Sequence, residues 1–445
     1  IHGVVPLDPV GSRGDGDAGS GIQGADRFPV SSFDEAFAGV KEFRRLARER
    51  RRLKGQPGYE PANAAFKRYR RRRAQARLGW HGQRLLRHIQ TRDGFRERLA
   101  LFWADHFTAQ GKSGPMRVLA APYAETVIRP HLAGRFEDML IAAATSPLML
   151  HYLDQNRSAG PGSRAAERRK RVSGLNENLA REVLELHTLG VDGPYSQADV
   201  RQLAELFTGL SVSLENGFVY RPVMAEPGSE TVLGGTYGGG TPKLDQVLSA
   251  LRDLARHPAT ARHIAWKLAV HFTQDAPNAE LIEALTASYL DSRGSLPALY
   301  ETLLTHPAAW QPELRNVKPA FGFMASACRA LGLQAHHLTP DDPKRLKALF
   351  WSPLQLIGQP LEEVPGPDGW PEENSFWITP QFMAARLGWA LAAPQQLKRA
   401  LPDPREFAKV ALGEVPADVA FAADAAENRW EGIALVLTSP AFQKF

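Results

Sequence analysis

Hydrophobic side chains recur with helical spacing along most of the chain. From Phe33 onward, apolar residues at 33, 37, 40 and 43 lie three or four positions apart, which is the spacing of one face of an α-helix. Ser-Pro or His-Pro pairs follow apolar helical stretches at 146–147, 257–258, 306–307 and 439–440. Proline is tolerated in the first helical turn, so these pairs mark joints between helices. The pattern predicts a mainly α fold, a multi-helix bundle of helical hairpins.

One region departs from this helical spacing. Residues 211–222, "SVSLENGFVYRP", alternate around Asn216-Gly217, and this pattern predicts a β-hairpin. We therefore expect one small β-hairpin insertion at about residues 210–235. The glycines from Gly234 to Gly240 predict a flexible loop after it, and "GGTYGGG" lacks the lysine of a phosphate-binding loop.

The predicted elements suggest an order of regions along the chain. Residues 1–30 are rich in Gly, Asp and Ser, which indicates a flexible N-terminal arm. A basic helical hairpin region follows at 31–92 and a main helical domain at 93–400. Within that domain the Pro- and Trp-rich segment 357–381 is expected to wrap the surface and cover something. Helices at 401–445 are expected to pack on the main domain.

Composition narrows the class of protein. The chain has 445 residues, 43% of them hydrophobic, which is enough for a large core. It contains no apolar run long enough to span a bilayer, so we expect no transmembrane segment. Cys328 is the only cysteine, which excludes an intrachain disulfide or a thiolate metal cluster.

The positive charge is concentrated in one stretch. Residues 41–92 contain 18 Lys or Arg against 3 Asp or Glu, whereas the whole chain carries a net charge of +6. One interpretation is a solvated Arg-rich hairpin, and the other is a surface for a polyanion. Nucleic acid is not favoured, because no base-stacking aromatic series accompanies the charges apart from Tyr69 and Trp80.

The stretch "GLNENLAREVLELHTLGVDG", residues 174–193, places two asparagines, three glutamates, an arginine and a histidine in one short predicted helix. On a helical wheel Glu177, Arg181 and Glu185 share one arc with Asn178 and Glu182. This arc faces either water or the wall of a site. The neighbouring Asn176 is a cap or a ligand, because Asn is unfavourable inside a helix. Just beyond this stretch, Ser196 and Asp199 have the spacing of a capping box.

These residues carry a resemblance. The segments "LALFWADHF", "VIRPHLAGRFEDML", "SPLMLHYLDQNRSAGPGS", "HPATARHIAWKLAVHF" and "IGQPLEEVPGPDGWP" occur together with the Asn-Glu-Asn stretch. Over residues 95–395 the chain resembles the large bacterial family catalogued as domain of unknown function 1800. The resemblance implies a mostly helical, often exported protein, periplasmic or secreted, encoded beside a phosphatase- or sulfatase-like exported protein that is a possible partner. Asp105 stands where relatives usually have Asn, and Ala225 where they often have His.

The first functional hypothesis is a hydrolase or lyase that acts on a polysaccharide. Glycoside cleavage needs one protonated and one ionised carboxyl group, and the candidates for catalysis are Glu177, Glu182 and Asp105. Candidate substrate-binding residues are side chains that can bind hydroxyl groups or stack on sugar rings. They are Asn176, Asn178, Arg181, Glu185, Arg129, His131, His106, Asp154, Asn156, Trp370 and Trp377.

Two alternatives stay open. One is a metal-dependent enzyme using His106, His131 and His187 with a carboxylate, although the sequence has no HExxH spacing. The other is a non-catalytic cell-envelope scaffold in which the polar stretch is a buried network and a partner protein carries out the chemistry. His187 most simply donates to carbonyls at a helix end. We assign no cofactor and no metal ligand from the sequence.

Overall fold

A computed structural model describes the chain over residues 27–112, 114–168, 174–338 and 342–445, so nearly all of the predicted arm at 1–30 lies outside the described residues. The predicted mainly α fold is confirmed. The α-helices are α1 Phe33–Arg52, α2 Tyr59–Gln90, α3 Gly94–His106, α4 Ala120–Tyr123, α5 Phe136–Thr145, α6 Pro147–Tyr152, α7 Arg164–Arg168, α8 Asn178–Glu182, α9 Gln197–Leu206, α10 Leu244–Ala255, α11 Pro258–Phe272, α12 Ala279–Asp291, α13 Leu296–Thr305, α14 Ala320–Ala330, α15 Ala335–Leu338, α16 Pro343–Leu346, α17 Ser352–Leu356, α18 Asn374–Trp377, α19 Pro380–Leu397, α20 Pro404–Leu412, α21 Ala417–Ala425, α22 Arg429–Thr438 and α23 Pro440–Gln443.

Short helices of other pitch separate or extend these elements. The 3₁₀ turns are Gly114–Leu119, Arg129–His131, Gln155–Arg157 and Pro307–Trp310, and the π-helical turns are Ala124–Ile128, Val183–Thr188 and Lys347–Trp351. The π turn Val183–Thr188 continues α8 directly, so the polar stretch is helical from Asn178 but changes pitch after Glu182. A wheel drawn at constant α pitch therefore misplaces the side chains after Glu182.

The two basic helices α1 and α2 pack against each other. Tyr69 donates a hydrogen bond from its hydroxyl to the carbonyl of Gly39 at 3.0 Å. Arg73 donates from Nη1 to the carbonyl of Ala36 at 3.2 Å. Their contact thus includes polar side chains of α2 that bond to the backbone of α1.

The predicted β-hairpin is confirmed. Strands β1 Leu210–Ser213 and β2 Gly217–Tyr220 pair antiparallel, with Leu210 opposite Tyr220. Gly217 has a φ of +69°, as the Asn-Gly turn requires.

A second hairpin follows where a loop was expected. Strand β3 Gly228–Val232 pairs antiparallel with β4 Gly235–Gly240, so the prediction of a flexible loop at Gly234–Gly240 is wrong. The glycines permit close backbone approach instead: a Cβ atom on Gly238 would lie 2.4 Å from the carbonyl oxygen of Gly228.

Two hydrophobic cores hold the helices together. The first includes Val40 from α1, Trp103 from α3 and Leu268 from α11. The second joins the end of α2 to the helices after residue 320, and includes Phe323 and Trp389. The two buried indole nitrogens named here have partners, since Trp103 Nε1 donates to the Tyr300 hydroxyl at 2.6 Å and Trp389 Nε1 to the Leu349 carbonyl at 2.7 Å. In the described ranges, no helix combines the length and apolar character needed to cross a bilayer.

A candidate acid–base site between the two cores

A cavity of about 440 Å³ lies where the two cores meet. Phe102 of the first core and Ala325 of the second both line it. Helices α2, α3 and α14 supply much of the wall, and segment 357–381 supplies another large part with residues that include Trp370 and Trp377. We call 357–381 the covering segment, because it forms one wall of this cavity.

Asp105, the last residue but one of α3, lies on the cavity wall. Its two carboxylate oxygens accept a hydrogen bond from the backbone N–H of Trp370, at 3.0 and 3.1 Å. Burial raises the pKa of Asp105 to about 7, and the Trp370 N–H and the nearby Lys267 only partly oppose that effect. Near neutral pH the carboxyl group is therefore populated in both its protonated and its ionised forms.

Lys267 of α11 faces the same group of carboxylates. Burial lowers its pKa, and Asp105, Glu372 and Asp368 oppose that shift. Within the described residues the Lys267 amine forms no hydrogen bond and no ion pair. An amine of lowered pKa that is left unpaired beside carboxylates is a candidate for proton transfer.

Glu372 connects the covering segment to α11. Its carboxylate accepts a hydrogen bond from Nδ1 of His271 at 2.9 Å. Burial alone would raise the pKa of Glu372, but His271, Lys267 and Arg98 together hold it below its usual value. Glu372 is thus an ionised counterpart to Asp105. We call Asp105, Lys267, Asp368 and Glu372 the acid–base cluster.

Glu182 is the second carboxyl group with a raised pKa near this cluster. Burial raises its pKa to about 7, and the charges of Glu185 and Asp368 add to the effect. Asp368 also raises the pKa of Asp105, so it interacts with both carboxyl groups. Glu182 does not line the 440 Å³ cavity. The structure therefore brings Glu182 and Asp105 into one electrostatic neighbourhood, with Glu182 outside the cavity.

Two buried histidines, His106 and His187, and the partly buried His263 lie next to the cluster. The ring of His106 lies 6.1 Å from that of His187 and 6.3 Å from that of His263. Burial lowers the pKa of His187 to about 3 and that of His263 to about 4. Neither ring nitrogen of His187 has a hydrogen-bond partner, so the expected bond from His187 to a helix-end carbonyl is wrong. Its carbonyl oxygen is instead close to His106 Nε2, at 3.3 Å.

The histidines proposed as metal ligands do not all meet. His106 and His187 are neighbours, whereas His131 lies on the 3₁₀ turn Arg129–His131 and makes no ring contact with either among the described residues. The described part of the chain contains no group of three or more His, Cys, Asp or Glu side chains arranged to hold a metal ion.

The start of the polar stretch serves local structure. The Asn176 side chain accepts from the Asn178 N–H at 2.8 Å and donates to the Leu153 carbonyl at 3.2 Å. Glu177 accepts from Arg181 at 3.2 Å, and the two side chains are 33% and 40% exposed. These residues cap α8 or form an ion pair on its outer face. None of them lines the 440 Å³ cavity.

Three further candidate residues, Arg129, Asp154 and Asn156, lie away from the cavity. Arg129 pairs with Glu97, with N–O distances of 2.9 and 2.5 Å, inside the protein. Asp154 pairs with Lys112 at 2.6 Å, and the Asn156 side-chain oxygen is buried without a partner. None of these candidates lines the 440 Å³ cavity.

The structure adds site residues that the sequence-based prediction missed. Lys267 and Glu372 belong to the acid–base cluster, and His263 and His271 adjoin it. In "HPATARHIAWKLAVHF", His263, Lys267 and His271 recur every four residues. That period places them in one row along a largely apolar helix, which is the signal that could have found them.

The fold and the cavity define a mainly α-helical protein with an ionisable site between two cores. A family model matches residues 23–444, nearly the whole chain, and the chain belongs to that family, which is described as Protein of unknown function (DUF1800). No curated protein and no solved structure matches the chain.

Proposed function

We propose that this protein is a hydrolase or lyase that cleaves a polysaccharide by general acid–base catalysis, with Asp105 as the proton donor. One observation carries the proposal: Asp105 lies on the wall of a 440 Å³ cavity with a pKa raised to about 7. General acid–base catalysis is most efficient when the pKa of the catalytic group lies near the working pH.

Lys267, which lies beside Asp105 and Glu372 without lining the cavity itself, is the base in this proposal. Its pKa is lowered by burial, and its amine is unpaired among the described residues. Two titratable groups suit the roles of acid and base when their environments shift their pKa values in opposite directions. The pKa of Asp105 is raised and that of Lys267 is lowered, so both pKa values are moved toward neutral pH.

The cavity supports a glycan as the substrate. Its volume lies in the range of small-ligand sites, roughly 300–1,000 Å³. The partly exposed Trp370 lines it and packs on the fully buried Trp377, with the two ring centroids 6.1 Å apart. Indole rings provide apolar faces on which sugar rings stack. A short stretch or an end of a polysaccharide chain therefore fits the cavity better than an extended polymer.

Of the three catalytic candidates that the sequence offered, only Asp105 is retained as acid or base, and Glu177 and Glu182 are not. Glu177 is engaged by Arg181 and by Gln197, whose Nε2 donates to it at 2.9 Å. Glu182 keeps a raised pKa of about 7 beside Asp368 but does not line the cavity. Export to the periplasm or beyond, and work beside a phosphatase- or sulfatase-like partner, are proposed on the family resemblance alone.

The test is cleavage of a panel of neutral and acidic polysaccharides by the purified chain. Size-exclusion chromatography reports shortening, reducing-end assay reports cleavage, and ultraviolet absorbance reports the conjugated double bond that elimination alone creates. We expect the cleavage rate of Asp105→Asn and of Lys267→Met to be lower than that of the wild type by about 10²-fold or more. The matched control is Glu301→Gln, an exposed carboxylate of α13 outside the cavity. Full activity in folded Asp105→Asn would overturn the proposal.

A further inference from the structure

Four cationic side chains line the same cavity, namely Arg84, Arg98, Lys318 and Arg329. Within the described residues, none of the four forms an ion pair with a carboxylate. Elsewhere in the protein, buried or partly buried arginines such as Arg87 and Arg129 are paired with glutamates. Three acidic residues, Asp105, Glu362 and Glu372, also line the cavity, so its four cations outnumber its carboxyl groups by one.

Arg84 of α2 is the clearest case. Its guanidinium group forms no hydrogen bond and no ion pair with any described residue. The two acidic groups whose charges act on it are already engaged, since Glu125 pairs with Arg87 at 2.7 Å and Glu362 with His81 at 2.6 Å. A partly buried charge without a partner costs free energy that a bound anion would recover.

Arg98 and Lys318 are held by neutral groups. Arg98 donates to the His271 carbonyl at 2.5 Å and lies 3.8 Å from the ring centroid of Phe445. The Lys318 amine lies 4.0 Å from the ring centroid of Phe442. Burial lowers the pKa of Arg98 to about 9 and that of Lys318 to about 8. Both groups therefore keep their charge at neutral pH without an ion pair, although the charge of Glu372 acts on Arg98.

His88 adds a hydrogen-bond acceptor to this wall. Its Nδ1 donates to the Arg84 carbonyl at 2.8 Å. Because a carbonyl only accepts, the ring proton lies on Nδ1, and Nε2 carries a free electron pair. Nε2 is buried and has no partner. It is a ready acceptor for a ligand hydroxyl group close to Arg84.

We infer that the cationic wall of the cavity binds the carboxylate of an acidic sugar, so that the substrate is a uronate-containing glycan. This inference rests on the proposed function, which places the reaction in the same cavity. A carboxylate matches the fork of a guanidinium group, and the sugar hydroxyls match His88 Nε2. Arg98 and Asp105 lie seven residues apart on α3, two turns and about 10 Å along its axis. One ligand can therefore contact a cation and the proton donor together.

The test is calorimetric titration of the full chain with digalacturonate and with its methyl ester, which has the same sugar rings but no charge. We expect the acid to bind at least 10-fold more tightly than the ester. Arg84→Gln and Arg98→Gln should each weaken binding of the acid about 10-fold or more, because each removes a charge-assisted hydrogen bond. Arg70→Gln, an exposed residue of the same helix α2 outside the cavity, should leave it unchanged.

Equal binding of acid and ester, or unchanged binding in folded Arg84→Gln and Arg98→Gln, would overturn the inference. Tighter binding of a sulfated disaccharide than of digalacturonate would overturn the assignment to a carboxylate. Thermal denaturation confirms that each variant is folded. If Arg84→Gln does not fold, Arg84→Lys replaces it, because lysine keeps the charge and removes the guanidinium fork. Titration of Asp105→Asn with digalacturonate separates the two proposals. If this variant binds digalacturonate and also cleaves glycan at the wild-type rate, Asp105 is not the acid, while the proposed binding site is supported.

Discussion

The backbone N–H of Trp370 donates to both carboxylate oxygens of Asp105, at 3.0 and 3.1 Å, across 265 positions of sequence. This contact holds the covering segment against the end of α3. It also favours the ionised form of Asp105, whereas burial favours the protonated form and has the larger effect. One interaction therefore both closes the cavity and adjusts the acidity of the group that faces it.

The pH dependence of cleavage should report Asp105. As a proton donor it is active when protonated, so kcat/KM should fall about tenfold per pH unit above the pKa of about 7. The measurement is kcat/KM from pH 5 to 9 on the best glycan substrate. The residual activity of Asp105→Asn should lack this alkaline limb. A limb that persists unchanged in the variant would show that another group titrates.

The stability of the protein should also depend on Asp105. Its folded pKa of about 7 lies above the ordinary value of 3.8, so the folded chain retains a proton that the unfolded chain releases. Stability is then lost as pH rises from about 4 to 7. Relative to the wild type, Asp105→Asn should gain about 1–3 kcal/mol in free energy of unfolding over that window. Urea denaturation at pH 4.5 and 8 measures it, and an equal difference at both pH values would contradict it.

Gly369 should not tolerate a side chain. It has a φ of +90°, and a Cβ atom there would lie 2.4 Å from Oδ2 of Asp105. Gly369→Ala should therefore displace the covering segment, lowering stability by about 1–3 kcal/mol and reducing glycan cleavage. Gly413→Ala is the control, because Gly413 has a φ of +74° and a Cβ atom there would meet no other atom within 4 Å. Equal effects in the two variants would attribute the loss to backbone strain alone.

The Arg129 and Glu97 pair should be a stabilising element of the packing. Their side chains are 11% and 5% exposed, so Arg129→Gln leaves the Glu97 charge buried, at a cost of about 3–5 kcal/mol. Arg405→Gln breaks an exposed pair with Asp403 and should change stability by less than about 1 kcal/mol. Urea denaturation compares the two variants. Similar small losses in both would mean that Glu97 finds another partner or takes up a proton.

The elements that depend on local sequence were predictable. Helical spacing indicated the mainly α fold, and Asn216-Gly217 indicated the first hairpin. The capping box at Ser196 and Asp199 is present, with the Ser196 hydroxyl accepting from the Asp199 N–H at 3.2 Å. Each of these signals acts within a few residues, so no knowledge of the tertiary fold was needed.

The site was less predictable because it depends on distant contacts. Asp105 was recognised as a candidate, but nothing local shows that it meets Trp370 or that Lys267 lies nearby. Glu177 and Arg181 have ideal spacing for a polar site, yet the same spacing makes a surface ion pair. Arg84 was one of many arginines in a basic stretch, and only the fold separates it from exposed neighbours such as Arg70.

The location of the cavity has a consequence for how the chain unfolds. A ligand held between Phe102 of one core and Ala325 of the other contacts both halves of the molecule. Its binding free energy then adds to the stability of each half only while the other half stays folded. At saturating ligand concentration the two halves should therefore unfold together in a single, sharper thermal transition. Bound substrate would then make the two halves one cooperative unit.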